Sequence, residues 1–330
     1  MIKSIHLNNI FLYITENCNL ECDYCYFKDK RARNLDLATI KKFIDFLRDN
    51  LPSEPKTFII SGGEPLLQWQ LTTQTINYIR KKYANIPINI QTNGLILNKN
   101  KISFIKDKGV NLEIGIDGNF NDVKSHRKGT TQTHFNNLIA GIQLGLRKGI
   151  KISCNMTVHP KEANKLYDNF QFLLSVGMKS VDITPAALIN WTNNKIRIFK
   201  KQYIKIVKEH YEKLYTKEDL TFLPSYSLDL SLHPYNYVLC GDPYLCLPEE
   251  DRKNYSLFSF DRQATVKKSR LFFYLARYRS LFNEVGNKIT YHDYVSASFK
   301  IVESITNKSF EQTVKFHNFQ KAAHLLKLVK

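Results

Sequence analysis

Residues 18–25 read CNLECDYC and place three of the six cysteines of the chain within eight positions: Cys18, Cys22 and Cys25. A short apolar stretch, residues 9–14, precedes them and predicts a β-strand that runs into this loop. Three thiolates are one ligand short of a closed zinc site, and no histidine lies nearby at a suitable spacing. Three thiolates can instead hold three irons of a [4Fe–4S] cluster and leave the fourth iron without a protein ligand. The spacing therefore indicates a cluster site with one open iron.

Outside this loop, short apolar runs alternate with segments of helical periodicity as far as residue 185. The predicted strands are 9–14, 57–60, 87–91, 111–116, 151–157 and 180–184. The predicted helices between them are 37–47, with Asp36 as its N-cap, 67–82, 99–108, 132–148 and 161–175. Strands separated by helices of this length are typical of parallel βαβ units. We therefore predict an α/β fold in which the cysteine loop follows the first strand.

The alternation stops after residue 185, and we predict a domain boundary near residue 190. Residues 1–190 form the α/β domain in this prediction, and residues 191–330 form a mostly helical C-terminal extension. The extension has an irregular tract, 222–262, and three predicted helices, 196–215, 264–284 and 310–329. The helix 264–284 interleaves basic with aromatic residues, a pattern that suits either contact with nucleic acid or an acidic peptide, or packing of the aromatic residues in a core.

The chain has a net charge of +18, and half of it lies in residues 251–330, with 15 basic and 6 acidic side chains. Such a field attracts nucleic acid, an acidic partner or anionic lipid, but a lysine-rich solvated surface explains it equally well. No apolar run reaches the roughly 18 residues of a membrane span, and the first residues lack the apolar segment of a signal peptide. We therefore expect a cytoplasmic protein without membrane contact, for which nucleic acid is a weakly supported partner.

Four further motifs fall at the ends of the later predicted strands. They are Gly62-Gly63-Glu64-Pro65, Gln91-Thr92-Asn93-Gly94, Gly115-Ile116-Asp117-Gly118 with the following His126-Arg127, and Cys154-Asn155-Met156. Together with the cysteine loop, these motifs resemble those of radical S-adenosylmethionine (radical SAM) enzymes. The third motif is most similar to the SLDG…hd..R stretch of the sulfatase-maturase-like, peptide-modifying branch. The resemblance covers roughly residues 8–185.

The resemblance implies a partial (β/α)6 TIM-like barrel, one [4Fe–4S] cluster, and S-adenosylmethionine bound at the open iron. It also implies that the glycine pair lets the backbone approach the methionine part of this ligand, and that Glu64 accepts a hydrogen bond from its ammonium group. The implied cluster ligands are Cys18, Cys22 and Cys25. The implied contacts of S-adenosylmethionine are Tyr24, Gly62, Gly63, Glu64, Asn93, Asp117, Arg127 and Asn155.

The sequence departs from that branch at Gly115, where a serine hydroxyl would help to hold the methionine carboxylate. Either Arg127 takes over that role through a charge-assisted hydrogen bond, or it is a surface arginine of a basic protein. Asp117 is likewise either an acid of the ligand cavity or the cap of the helix that follows.

Cys240 and Cys246 are the cysteines of the predicted extension. Peptide-modifying relatives often have C-terminal SPASM or twitch extensions, in which larger cysteine sets hold auxiliary clusters. Two cysteines are too few for such a set, so the extension is either a degenerate relative of those modules or a substrate-binding segment. Cys240 and Cys246 are then buried thiols, a catalytic hydrogen donor to a substrate radical, or part of an incomplete metal site. The histidines are scattered along the chain and show no metal-ligand spacing. We therefore expect them to be exposed, among them His126, His159 and His292.

The resemblance further implies an enzyme that cleaves S-adenosylmethionine reductively and abstracts hydrogen from a substrate. The branch-like motifs and the extension favour a ribosomally made peptide or protein as substrate. The missing auxiliary cysteines favour a nucleotide, sugar or other small metabolite instead, and the basic tail alone favours RNA. A non-enzymatic iron–sulfur scaffold or sensor is the remaining alternative, although it would leave Gly62–Glu64 without a ligand. A reducing partner such as flavodoxin or ferredoxin is expected.

Overall fold

The computed structural model describes residues 9–25, 34–50, 54–55, 57–186, 189, 191–215, 221–224 and 237–240. Several sequence-based expectations lie outside the described residues. They are the helices 264–284 and 310–329, most of the tract 222–262, Cys246 and His292.

Eight strands form one parallel sheet. In chain order they are β1 (Asn9–Thr15), β3 (Thr57–Gly62), β4 (Ile88–Thr92), β5 (Val110–Gly115), β7 (Ile152–Val158), β8 (Ser180–Pro185), β9 (Thr221–Pro224) and β10 (Tyr237–Cys240). Their order across the sheet is β10-β1-β3-β4-β5-β7-β8-β9, and every neighbouring pair is parallel. Two short strands, β2 (Glu21–Cys22) and β6 (Arg127–Lys128), form a separate antiparallel pair.

From β1 to β9, helices connect consecutive strands of the sheet, as parallel pairing requires. They are α1 (Leu37–Asn50), α2 (Trp69–Lys82), α3 (Lys99–Asp107), α4 (Phe120–His126), α5 (Gln132–Arg147), α6 (Leu166–Val176) and α7 (Asn193–Tyr215), with 3₁₀ helices at Pro65–Gln68 and Pro160–Lys165. Polar side chains cap the N-termini of several of these helices. The predicted cap Asp36 is confirmed, since its Oδ1 accepts from the Thr39 N–H at 2.8 Å. No helix among the described residues is long and apolar enough to cross a bilayer.

The central strands β4 and β5 have one apolar and one polar face. In β4, Ile88 and Ile90 are fully buried, whereas the intervening Asn89 and Gln91 are only partly buried. The aliphatic face belongs to one large core cluster that it shares with buried residues of the helices. Each fully buried aliphatic side chain there contributes about 1.5–3 kcal/mol relative to exposure. The core therefore fixes the sheet and leaves the opposite face of these strands for polar side chains.

The prediction of an α/β partial barrel is confirmed, because six parallel strands with intervening helices run from residue 9 to residue 185. The prediction of irregular structure is wrong for residues 222–224 and 237–240, which belong to β9 and β10. These strands lie at the two edges of the sheet, so the sheet continues past residue 190. A four-residue strand carries too weak a periodic signal to be recognised in a sequence.

Candidate active site

The cysteine loop follows the carboxyl end of β1, the position where parallel α/β barrels bind ligands. Its three cysteines are partly exposed and form no disulfide within the described residues. Burial raises the pKa of Cys22 to about 11, while the charge of Arg127 lowers it and the charges of Cys25 and Cys18 raise it further. All three thiols belong to one eight-residue loop, in which the Cys25 N–H donates to the Cys22 carbonyl at 3.0 Å, as suits three ligands of one metal cluster.

The first half of the loop meets the tip of β3 through backbone contacts. The N–H of Gly63 donates to the carbonyl of Thr15 at 2.8 Å, and the N–H of Glu64 donates to the carbonyl of Asn17 at 2.7 Å. A Cβ on Gly62 would lie 2.2 Å from the Thr15 oxygen, and a Cβ on Gly63 would lie 2.2 Å from the Asn17 oxygen. Gly62 also has a φ of +127°, which favours glycine. The glycine pair is therefore needed to bring the loop against β3, whatever its contact with a ligand.

Glu64 lies beneath this contact with 0% exposure. Its Oε1 accepts from the Leu66 N–H at 2.9 Å and from the Thr92 hydroxyl at 2.7 Å, and its Oε2 accepts from the Asn93 N–H at 2.7 Å. Burial raises the pKa of Glu64, and these three donors oppose that rise. The carboxylate thus links the ends of β3 and β4, and its role as acceptor for a ligand ammonium group stays a prediction.

Two N–H donors approach the sulfur of Cys18. The backbone N–H of Leu20 donates to Sγ at 3.4 Å, and the amide Nδ2 of Asn93 stands 3.9 Å from it. The same amide donates to Asn19 Oδ1 at 2.7 Å, which holds it against the loop. Hydrogen bonds to ligating sulfurs raise the reduction potential of iron–sulfur clusters. The structure therefore places the predicted Asn93 beside the cluster loop.

A buried network holds the second half of the loop. Arg127 donates from Nε to Asp117 Oδ2 at 2.8 Å and from Nη2 to Asp117 Oδ1 at 2.7 Å, with both side chains less than a tenth exposed. The Tyr24 hydroxyl donates to the same carboxylate, as does the Thr157 N–H at 3.0 Å. The guanidinium also lies over the Tyr24 ring, 5.6 Å from its centroid. The predicted residues Tyr24, Asp117 and Arg127 are thus brought together.

This network excludes one of the two alternatives for Arg127 and one of the two for Asp117. Arg127 is a buried ion-pair partner and not a surface arginine, and Asp117 does not cap α4, because Asn119 does so. A Cβ on Gly115 would lie 2.9 Å from Arg127 Nη1. The guanidinium therefore occupies space that a serine side chain at position 115 would need. Nη1 makes no hydrogen bond within the described part of the chain, so one edge of the guanidinium is left for a further acceptor.

Charged side chains on the outer side of the loop were not predicted from the sequence. The pair β2–β6 sets Cys22 opposite Arg127, and the Asp23 N–H donates to the His126 carbonyl at 2.9 Å. The Asp23 carboxylate pairs with Lys128 Nζ at 2.7 Å, and this partner lowers the pKa of Asp23. The expectation of exposed histidines is wrong for His126 and His159, which are buried and stacked on each other.

The remaining predicted residues are placed differently. Asn155 is exposed in β7 opposite Gly115, and its side chain makes no hydrogen bond to the described residues. Cys154 is buried, its thiol donates to the Ile116 carbonyl at 3.2 Å, and burial raises its pKa far above the ordinary value. The backbone of Cys240 lies beside Tyr13 in the sheet, and Cys246 lies outside the described residues. The hydrogen-donor role of Cys240 and Cys246 stays a prediction.

The polar face of the sheet carries a further network that the sequence-based site did not include. Glu113 accepts from Asn89 Nδ2 and from Gln91 Nε2, both at 2.7 Å. Ser61 donates to Gln91 Oε1 at 2.8 Å, and Asn111 donates to Asn89 Oδ1 at 3.0 Å. The alternation of apolar with amide and acidic residues in β4 and β5 was the available signal. These strands therefore present a polar surface next to the cysteine loop.

The donor set fits the cofactors that the resemblance implies. Three neighbouring thiols with N–H donors at Cys18 suit a [4Fe–4S] cluster, whose iron is held by thiolates. Arg127 Nη1, which has no hydrogen-bond partner among the described residues, and the exposed Asn155 amide suit the carboxylate and polar groups of an amino-acid moiety such as that of S-adenosylmethionine. The cysteine loop and Asp117, which holds Arg127, follow the carboxyl ends of β1 and β5, the side on which parallel α/β barrels bind ligands.

Sequence comparison gives a family match over the same region. Residues 12–173 match the family model described as "Radical SAM superfamily". An uncharacterised protein of Methanocaldococcus jannaschii is 28% identical over 245 residues, which are 72% of this chain and 80% of that protein. The serine-type anaerobic sulfatase-maturating enzyme of Bacteroides thetaiotaomicron is 25% identical, over 51% of this chain and 43% of the enzyme. The GTP 3′,8-cyclase of Helicobacter pylori is 28% identical, over 46% and 47%.

Structure comparison agrees with these matches. The chain is similar to anSMEcpe with bound AdoMet and Cp18Cys peptide, with a TM-score of 0.62 and 14% identity over 96% of this chain and 87% of the other. It is also similar to Streptococcus suis SuiB bound to the precursor peptide SuiA, with a TM-score of 0.51 and 12% identity over 68% and 50%. At 12–14% identity these structural similarities concern the fold alone. In sequence, the matched region spans less than half the length of the sulfatase-maturating enzyme and of the GTP 3′,8-cyclase.

The fold, the cysteine loop and the family match point to the same assignment. Radical SAM proteins use a [4Fe–4S] cluster and S-adenosylmethionine, so the prediction of an enzyme with these two cofactors is confirmed at the level of the family. Residues 12–173 of this chain form a radical SAM domain.

Proposed function

We propose that this protein removes a hydrogen atom from a ribosomally made peptide or protein by radical SAM chemistry. The arrangement of the cysteine loop carries the proposal. Three partly exposed thiols share one eight-residue loop, which lies between a backbone contact to β3 on one side and a buried Arg–Asp–Tyr network on the other. A loop fixed from both sides can hold a metal cluster at one position next to a substrate cavity.

Individual residues have distinct roles in this proposal. Cys18, Cys22 and Cys25 ligate the cluster, and Asn93 donates toward the Cys18 sulfur. Asp117 holds Arg127, whose Nη1 faces Gly115 and binds the carboxylate of S-adenosylmethionine. When bound, the cluster and S-adenosylmethionine supply the one-electron chemistry that removes hydrogen from an unactivated carbon. The protein contributes orientation and excludes water from the site.

Two observations support a peptide substrate. The sequence relatives include an anaerobic sulfatase-maturating enzyme, and the structural neighbours include anSMEcpe with the Cp18Cys peptide and SuiB bound to its precursor peptide SuiA. The polar face of β4 and β5 and the exposed Asn155 amide offer both donors and acceptors, which a peptide backbone can use. In this proposal the residues after 190 contribute to substrate binding, and flavodoxin or ferredoxin supplies the electron.

A nucleotide is the second candidate substrate. The similarity to a GTP 3′,8-cyclase, at 28% identity over 165 residues, favours it. The chain has 48 basic and 30 acidic residues, and this positive net charge would also favour a phosphorylated substrate. Both candidates use the same cysteine loop for the radical chemistry. They differ only in which residues of the chain bind the substrate.

The test is anaerobic reconstitution followed by incubation with deuterated candidate substrates. Reduced flavodoxin or ferredoxin is supplied as electron donor, and a Cys22→Ala variant is the matched control. Transfer of deuterium from a labelled peptide into 5′-deoxyadenosine supports the first proposal, and transfer from labelled GTP supports the second. Formation of 5′-deoxyadenosine without transfer from any peptide would contradict the peptide assignment while leaving the family assignment intact.

A further inference from the structure

A second group of metal-ligating side chains lies on the outer side of the cysteine loop and includes none of its thiols. It consists of Asp23 in the loop, His126 at the end of α4, and His159 just before the 3₁₀ helix Pro160–Lys165. One ligand atom of each residue lies within 4.8 Å of those of the other two. The imidazole rings are stacked with centroids 3.8 Å apart, so one ring must turn before both can direct an in-plane lone pair at the same ion. The fold thus gathers two imidazoles and a carboxylate that are far apart in the sequence.

His126 is buried without strong hydrogen bonds. Its side chain is 7% exposed, and within the described residues Nε2 has no hydrogen-bond partner. Nδ1 stands 3.4 Å from Asp23 Oδ2, whereas a strong N–H···O bond spans about 2.7–3.2 Å. Leaving a buried polar group poorly paired costs about 1–3 kcal/mol. A ligand between these side chains would remove that cost.

The spacing around His126 suits a metal ion. Two ligand atoms bonded at about 2.1 Å to a tetrahedral ion lie about 3.4 Å apart, as His126 Nδ1 and Asp23 Oδ2 do. The opposite nitrogen, Nε2, faces Glu162 Oε1 at 3.5 Å. A carboxylate behind the second ring nitrogen is the usual means by which proteins orient a metal-ligating histidine.

His159 is also suited to coordination. Burial and the neighbouring His126 lower the pKa of His159 to about 4, so its imidazole is neutral at neutral pH. Its Nδ1 accepts from the Lys161 N–H at 3.1 Å. Coordination through Nδ1 would release this N–H, which belongs to an exposed residue and can bond to water.

The neighbouring lysines leave the inward carboxylate oxygens available. Lys128 pairs with Asp23 Oδ1 at 2.7 Å, and Lys165 pairs with Glu162 Oε2 at 2.8 Å. The other oxygens, Asp23 Oδ2 and Glu162 Oε1, face His126. The Asp23 side chain is 29% exposed, which gives an ion a path from solvent.

We propose that Asp23, His126 and His159 form a second metal site, which binds a divalent transition-metal ion, while Glu162 orients His126. Two imidazoles and one carboxylate are a donor set for Zn²⁺ and similar ions. The ion would connect the cysteine loop to α4 and to the 3₁₀ helix at Pro160–Lys165. The proposal is independent of the substrate and of the cluster cysteines.

The experiment uses the anaerobically reconstituted, cluster-loaded protein, titrated with Zn²⁺ and dialysed before metal analysis. We expect a single tightly bound zinc per chain, and zinc-edge X-ray absorption with nitrogen and oxygen ligands at about 2.0–2.2 Å. His126→Gln and His159→Asn should weaken zinc binding more than about tenfold. Asn at position 159 can still cap the 3₁₀ helix, so this variant keeps the local fold. His134→Asn, on α5, is the matched control and should bind zinc as the wild type does.

Thermal unfolding provides a second readout. Zinc should raise the unfolding temperature of the wild type and of His134→Asn but not of His159→Asn, because the ion binds only the folded site. Three results would overturn the proposal: no stoichiometric zinc on the wild-type protein, a sulfur shell at about 2.3 Å in its absorption spectrum, or unchanged binding in both histidine variants.

Discussion

The two halves of the cysteine loop are held by different forces. The first half meets the tip of β3 through backbone hydrogen bonds, at a separation that leaves no room for a Cβ on Gly62 or Gly63. The second half is held by side chains, namely the buried pair of Arg127 with Asp117 and the exposed pair of Asp23 with Lys128. Substitutions that add side-chain volume should therefore destabilise the first half, and substitutions that remove a charge should destabilise the second half.

The largest effect on stability is expected at the buried ion pair. Arg127→Leu leaves the Asp117 carboxylate buried without its bidentate partner, which costs about 3–5 kcal/mol of unfolding free energy. Adding Asp117→Asn should restore part of this loss, because it removes the unpaired charge. Urea denaturation measures both values. The exposed Arg147→Leu is the control, and an equal loss in that variant would contradict the role of the pair.

A smaller loss of stability is expected in the first half of the loop. In Gly63→Ala the new Cβ would lie 2.2 Å from the Asn17 oxygen, so the backbone must shift, at a cost of about 1–3 kcal/mol. The displaced loop should also bind less iron on reconstitution. Gly109→Asn is the control, because a Cβ there has no neighbour closer than 4.0 Å and asparagine tolerates the positive φ. Normal stability and iron content in Gly63→Ala would refute the volume argument.

The amide of Asn93 should tune the cluster. Asn93→Leu removes a donor 3.9 Å from the Cys18 sulfur, which should make the reduction potential more negative. The expected shift is about 20–60 mV, the one-electron equivalent of a hydrogen bond worth about 0.5–1.5 kcal/mol. A redox titration monitored by electron paramagnetic resonance measures it. Asn111 lies near the amino end of β5, away from the cysteine loop, so Asn111→Ala should leave the potential unchanged. Equal potentials in the wild type, Asn93→Leu and Asn111→Ala would count against a hydrogen bond from Asn93 to the Cys18 sulfur.

The smallest effect is expected at the exposed pair. Asp23→Asn in chelator-treated protein should lower the unfolding temperature by about 2 °C or less, because solvent screens this pair. Since Lys128 lowers the pKa of folded Asp23, the pair stabilises the fold above the unfolded pKa of about 4 and loses that contribution as the pH falls further. Thermal scans at pH 7 and pH 3 should show a difference from wild type only at pH 7. A large loss at both values would mean that Asp23 is needed for another reason.

Much of the fold was predictable because periodicity is a local property. Strands and helices up to residue 185 begin and end within a few residues of the predicted positions, and Asp36 caps α1 as expected. The two-residue strands β2 and β6 were not predictable, because they arise from tertiary pairing and have no period of their own. The edge strands β9 and β10 were missed for the same reason.

The candidate site was predictable in composition but not in connectivity. The motifs named Glu64, Asp117 and Arg127, yet nothing local shows that Glu64 bonds to Thr92 or that Arg127 fills the space beside Gly115. His126 and His159 have no short spacing, and only the fold stacks them. A buried polar group needs a hydrogen-bond partner, and the fold decides which donor or acceptor lies within reach. That partner is often distant in sequence and so cannot be read from the local motif.

Anaerobic reconstitution of Cys22→Ala beside Cys154→Ala tests the central claim most directly, that the loop thiols alone hold the cluster. Cys154 is a buried thiol bonded to a backbone carbonyl, so Cys154→Ala should keep about four irons per chain and its cleavage of S-adenosylmethionine. Cys22→Ala should lose both the cluster absorbance and this cleavage. Full cleavage by Cys22→Ala, or zinc in place of iron in anaerobically purified wild-type protein, would contradict the claim.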